Sequence, residues 1–228
     1  MNKRKTIGAL IGVVICAILI WELDETPKSS YYSNQGKVFG TYYNIRYEAT
    51  EDLENSIHAA FEEFDNSLSL FNPYSILSAV NDNRDTVTNT AFETMWAEAE
   101  RIWQLSGGAF DITVAPLVKA FGFGRKSDQY SAISSHTIDS IRTFVGFEKV
   151  RLVDHKVIKT DPRVQLDGGA VAKGQACDMI AAVLRDHGCE NYLVDIGGEV
   201  VAHGINAKGE PWHIGITKPN LNNEGAQD

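Results

Sequence analysis

Leu-Asp-Gly-Gly-Ala-Val-Ala-Lys-Gly-Gln-Ala-Cys-Asp, residues 166–178, runs from an apolar strand through an acid and two glycines into a helix. The glycines let the backbone turn sharply and be approached closely. A helix starting there presents unpaired amides, and Lys173 in its first turn adds a formal positive charge, so the segment attracts phosphate. The spacing matches neither G-x-x-x-x-G-K-[ST] nor G-x-G-x-x-G. A tight structural turn and a phosphate-binding turn therefore both stand as readings.

Downstream, the pattern predicts a helix over 172–187 capped by Gly188, a buried strand at Tyr192 to Ile196, and strands at Val200 to His203 and Trp212 to Thr217. Val194-Asp195-Ile196-Gly197-Gly198-Glu199 echoes Leu166-Asp167-Gly168-Gly169. If both are strands of one sheet, the two glycine turns share a rim where a cofactor fits; taken singly, Gly197-Gly198 reads as a hairpin or bulge.

Upstream, Lys37 to Tyr47 alternates in strand fashion with an interruption at Gly40, following a polar linker over Pro27 to Gln35. Leu53, Ile57, Phe61, Phe64 and Leu68 form one helical face. Ser69 to Asp85 reads as a loop with one helical turn around Ile76 to Val80. Thr88-Asn89-Thr90 offers N-caps to a helix whose apolar face includes the core residues Trp96 and Trp103 and which stops at Ser106-Gly107-Gly108.

The segment Ser106 to Pro116 reads as a helix C-cap followed by a strand, or as a loop whose backbone and Asp111 face a ligand. A helix over Ile133 to Gly146 precedes strands at Lys149 to Val153, Val157 to Thr160 and Val164 to Leu166, with a turn at Asp154-His155. Interleaved helices and strands give an α+β class, an α/β-type mixed sheet flanked by helices.

The chain of 228 residues is 43% hydrophobic and 22% charged, enough to bury a core. Acids outnumber bases 30 to 21, giving −9, and no basic run follows residue 30, which argues against nucleic-acid partners. Cys16, Cys177 and Cys189 are too few for a disulfide framework and have no metal spacing, so they read as free thiols. His155, His203 and His213 lack metal-ligand spacing and read as surface or core residues.

Residues 1–30 differ in kind. Lys3, Arg4 and Lys5 precede an uncharged run from Thr6 to Trp21, which is closed by Glu22, Asp24 and Glu25. This reads as a signal peptide or uncleaved signal anchor that keeps the N-terminus cytoplasmic and exports the rest. Setting aside those thirty residues leaves 17 bases and 27 acids, so the exported body carries about −10.

Six stretches in order resemble the FAD:protein FMN transferases, the ApbE family: F-G-T-Y-Y at 39–43, S-x-F-N-P-x-S-x-L-S-x-V-N at 69–81, S-G-G-A-F-D-I-T-V at 106–114, L-D-G-G-A-V-A-K-G-Q-A-C-D at 166–178, V-D-I-G-G-E at 194–199 and P-W-H-I-G-I at 211–216. The resemblance implies an ApbE-like domain over 31–228. It also implies magnesium-dependent transfer of FMN from FAD to a threonine hydroxyl in a D-G-x-T-like motif of a partner, with AMP released.

The same resemblance places Phe39, Phe71, Ala109, Phe110, Asp111, Asp167 and Lys173 at FAD contacts, and the Ala170 backbone carbonyl at the magnesium ion. Its partners are subunits of membrane electron-transfer complexes, and its setting is the inner membrane with the catalytic domain facing the periplasm or cell exterior. Family members carry a histidine that activates the acceptor and a D-x-x-x-T metal segment in a further C-terminal part. Both are expected beyond Asp228, so the 228 residues alone are expected to bind FAD weakly and transfer little. The rival readings are a magnesium-dependent FAD pyrophosphatase and a non-catalytic, membrane-anchored flavin-binding protein.

Overall fold

The structure is a computed structural model and describes residues 28–123 and 133–216. The expected leader over 1–30 falls almost wholly outside the described residues, as does the tail from Thr217. Among the described residues no helix is long and apolar enough to cross a membrane.

Strands β1 (Ser30–Val38) and β2 (Thr41–Ala49) form a hairpin in register from Ser30↔Ala49 to Val38↔Thr41. The single interrupted strand and the polar linker expected from the sequence are thus two paired strands. β1 is a polar edge strand held by backbone pairing to β2, and so its composition resembles a linker. Phe39 and Gly40 make the two-residue turn with φ of 51° and 76°, the left-handed pair that matches strand twist.

β2 pairs antiparallel with β5 (Tyr192–Ile196), which pairs antiparallel with β6 (Glu199–His203), giving the order β1-β2-β5-β6. The α+β class holds; this sheet is antiparallel throughout where a mixed one was expected. β3 (Val150–Val153) and β4 (Lys156–Lys159) form a separate hairpin turned at Asp154-His155 as the sequence predicts.

Alternation along β2 and β5 puts Tyr43, Ile45, Tyr47, Tyr192, Val194 and Ile196 on one buried face. Against it pack α1 (Glu54–Leu68) through Ile57, Phe61 and Phe64, and α6 (Gly169–Asp186) through Cys177, Ile180 and Leu184. No side chain of its own caps α1; the Tyr47 hydroxyl accepts the Leu53 N–H at 2.7 Å and Asp52 accepts that of Glu54 at 3.0 Å. The sheet thus starts the helix that covers it.

α2 (Ile76–Asn81) and α3 (Thr90–Leu105) complete the core, the latter capped by the Asn89 side chain, which accepts from Phe92 N–H at 3.0 Å. Trp96 is buried and Trp103 stacks on Phe147 at 5.2 Å, the core role their spacing predicts. Cys177 and Cys189 are free and buried. Burial pushes the Cys177 thiol up to about 11, far from a reactive thiolate.

Several expectations shift. The strand expected after Asp111 is a turn leading into α4 (Ala115–Ala120), where Pro116 at the first helical turn suits a helix start better than a strand. α5 spans Ser135–Arg142, shorter than the expected 133–146. Val164 to Leu166 is no strand of the main sheet; Gln165 makes one parallel bridge to Val114. Trp212 to Ile216 stays irregular, with the Trp212 indole N–H donating to the His203 carbonyl at 3.0 Å.

Candidate functional site

Hydrogen bonds link several of the stretches singled out by sequence. The Gly197 N–H donates to the Tyr42 carbonyl at 2.9 Å, tying the β5–β6 turn to the start of β2. Gly197 has φ of 60°, and a Cβ there would stand 2.8 Å from Thr41, so both backbone sign and space require glycine. Two residues on, Glu199 Oε1 accepts from Lys173 Nζ at 2.7 Å, and the Glu199 carbonyl accepts from Cys177 Sγ at 3.1 Å. The two glycine motifs therefore meet through α6, although only one of them ends a sheet strand.

At the start of α6 the Asp167 Oδ1 accepts the Gly169 N–H at 2.8 Å and begins the helix three residues before the expected Ala172. Gly168 is buried with φ of −83°; a Cβ would lie 3.3 Å from Met95 Sδ, a tight fit, so it is packing and not a left-handed turn that favours glycine here. The Asp167 N–H donates to the Ile112 carbonyl at 2.7 Å, which brings in the 106–114 segment.

Between α2 and α4 a cleft of about 420 Å³ opens onto the same segment, lined by Leu70, Asn81, Asp82, Lys119, Phe123 and Asp167 among others. Its floor is fixed by Asn81, whose side-chain amide pairs with both backbone groups of Leu166 at 2.7 and 2.8 Å.

Residues 39–227 match the sequence profile of the ApbE family. The chain belongs to the ApbE family. It is 30% identical to the FAD:protein FMN transferase of Vibrio cholerae over 225 residues, covering 95% of this chain and 67% of that protein. With the Haemophilus influenzae FAD:protein FMN transferase it shares 31% identity, covering 98% and 68%. The flavin transferase ApbE structure from Vibrio cholerae superposes with a TM-score of 0.79 at 32% identity, over 84% of this chain and 65% of that one. The apo flavinyl transferase ApbE of Pseudomonas stutzeri gives 0.75 at 26%, over 82% and 62%. The chain thus spans about two thirds of the length of these ApbE relatives.

Within this ApbE fold the expected FAD contacts differ in how free they are. Phe39 is partly buried, its ring 5.7 Å from Phe61 and 5.0 Å from Phe64, so a flavin can meet one side of it while α1 holds the other. Phe71 is 64% exposed, next to Leu70 at the cleft. Ala109 is exposed and Phe110 partly buried in the turn after α3.

The Asp111 carboxylate is engaged within the protein. Oδ1 accepts from the Thr113 N–H and hydroxyl at 2.8 and 2.7 Å, and Oδ2 accepts from the Phe147 N–H at 2.8 Å. Asp111 therefore builds the loop and presents backbone, with lone pairs to spare for a ligand donor. Three residues were not singled out from sequence: Asn81, Thr113, whose buried hydroxyl accepts the Gly146 N–H at 2.7 Å, and Glu199 as the partner of Lys173. The first two stand inside recognised stretches, yet nothing in an Asn or a Thr signals a backbone partner far along the chain.

Ala170 lies in the first turn of α6. A helical carbonyl already accepts one N–H and offers a metal only its second lone pair. Among the described residues no three His, Cys, Asp or Glu side chains gather into a metal site, so these residues alone do not fit a magnesium centre.

Proposed function

We propose that this chain carries the flavin-nucleotide half of an FAD:protein FMN transferase. One observation carries the reading: hydrogen bonds tie the Gly197-Gly198 turn to Tyr42 beside the 39–41 hairpin, Lys173 of α6 to Glu199 after that turn, and Asp167 ahead of α6 to Ile112 of the 109–113 loop. These segments supply amides, a cation and apolar surface, the three things a dinucleotide with a pyrophosphate requires. That relatives 30% and 31% identical are named FAD:protein FMN transferase supports this reading.

In this reading Lys173 and the α6 amides hold the pyrophosphate and offset charge as it builds up, in a body that is otherwise acidic. Phe39 and Phe110 flank the flavin, and the 109–113 backbone positions it. The hydroxyl oxygen of an acceptor threonine in a D-G-x-T-like motif bonds to the FMN phosphorus. The pyrophosphate P–O bond breaks, AMP leaves, and the hydroxyl proton passes to solvent or a base. Magnesium would need oxygen ligands other than those among the described residues and would then offset charge at the pyrophosphate. The acceptor belongs to a membrane electron-transfer complex, and the domain faces the periplasm or cell exterior, tethered by the N-terminal segment.

Incubation with FAD, magnesium and a threonine-bearing acceptor peptide tests this. Weak, saturable FAD binding that is lost in Lys173→Met, with only faint covalent in-gel flavin fluorescence on the peptide, is the expected result. Free FMN and AMP without peptide labelling would reassign the chain as a pyrophosphatase, and FAD binding with no peptide labelling at all as a binding protein.

A further inference from the structure

We propose that Glu199 is a positioning residue that occupies the Lys173 ammonium in place of an anionic ligand and must yield it for the ligand to bind, an inference that rests on the flavin-nucleotide reading. Lys173 Nζ lies 2.7 Å from Glu199 Oε1. The pair is not a buried structural bridge: the two side chains are 40% and 48% exposed, so both can rotate into solvent or onto a ligand.

The placement of Glu199 is fixed by other means. Its carbonyl accepts from Cys177 Sγ, its backbone pairs with Ile196 in the β5–β6 register, and the Gly198 N–H ahead of it donates to Asp195 Oδ1 at 3.0 Å. The carboxylate is therefore free to change partners without moving the backbone. An incoming phosphate oxygen and this carboxylate seek the same three N–H donors on one nitrogen. In a chain of net charge −9, an uncompensated carboxylate beside a pyrophosphate would also repel it.

The test is an FAD titration by flavin fluorescence quenching, with inorganic pyrophosphate as a second probe, on wild type, Glu199→Gln, Glu199→Asp, Lys173→Met and the double variant. Glu199→Gln should bind FAD about 1.5- to 5-fold more tightly, the range of a competing exposed ion pair. The gain should shrink with added salt and vanish in the Lys173→Met background. Glu199→Asp, which keeps the charge on a shorter arm, should fall between wild type and Glu199→Gln. A merely structural role would move affinity the other way, with a fall in Tm and no salt dependence. Equal or weaker binding by Glu199→Gln overturns the inference while leaving the flavin reading intact. Failure of wild type and Glu199→Gln alike to bind FAD or pyrophosphate overturns both.

Discussion

Asn81 and Leu166, 85 residues apart, pair as two strands would: Asn81 Nδ2 donates to the Leu166 carbonyl at 2.8 Å and Asn81 Oδ1 accepts the Leu166 N–H at 2.7 Å. Leu166 is fully buried and Asn81 nearly so, so water cannot replace either bond. Asn81→Ala should cost about 2–4 kcal/mol in urea unfolding, since it strands two buried backbone groups. It should also weaken FAD binding through Asp167, the next residue. A loss under half a kcal/mol would show that the 164–167 segment is held by something else.

Phe39 sets packing against backbone conformation. At φ of 51° a non-glycine residue is disfavoured, yet the ring rests on Phe61 and Phe64. Phe39→Asn tolerates the left-handed turn but removes the ring, and should lower stability by about 1–2 kcal/mol because lost aromatic packing outweighs relieved strain. A rise in Tm would reverse that order.

His155 Nδ1 and Glu93 Oε1 stand 2.8 Å apart on the surface. The carboxylate hydrogen bond raises the imidazole above its usual 6.5, and the same bond holds Glu93 below its usual 4.5. For a raised histidine the stabilisation is fully present below 6.5 and is lost as pH climbs through the folded value. For the lowered Glu93 it is present above 4.5 and is lost as pH falls. An NMR titration should find His155 titrating above the ordinary histidine range in wild type and returning to it in Glu93→Gln.

Lys159 answers oppositely. Its ammonium donates to the Val80 carbonyl at 2.6 Å and to Asn83 Oδ1 at 3.1 Å, closing the C-terminal end of α2. Burial nevertheless lowers it from 10.5 to about 8, with nearby Asp82 pulling the other way. Between those values the unfolded chain binds more protons than the folded one, so this group makes stability rise with pH from about 8 to 10.5. Urea midpoints across that window should climb less steeply in Lys159→Gln.

Periodicity made the covered face legible. The spacing of Ile57, Phe61 and Phe64, the alternation of Tyr192, Val194 and Ile196, the Asn89 cap and the Asp154-His155 turn are local signals, and the structure carries each. β1 was not legible, because its polar side chains find their partners only across the sheet, as Asn34 and Tyr32 do on Tyr47. Trp212 to Ile216 has the alternation of a strand and does not form one, since a strand needs a paired neighbour as well as a pattern. At the site, the glycines announced a turn, but Gly168 serves Met95 and Gly197 serves Thr41, which only the fold reveals. Asp111 read as a ligand contact is first a loop builder, because a carboxylate accepts backbone amides as readily as ligand donors.

Hydrogen exchange with and without FAD tests most directly whether these separated stretches of sequence form one flavin-nucleotide rim. Protection is predicted together at 39–42, 109–113, 167–173 and 197–199, with little change along the β3–β4 hairpin. Protection confined to one of these stretches, or centred on that hairpin, would contradict the claim.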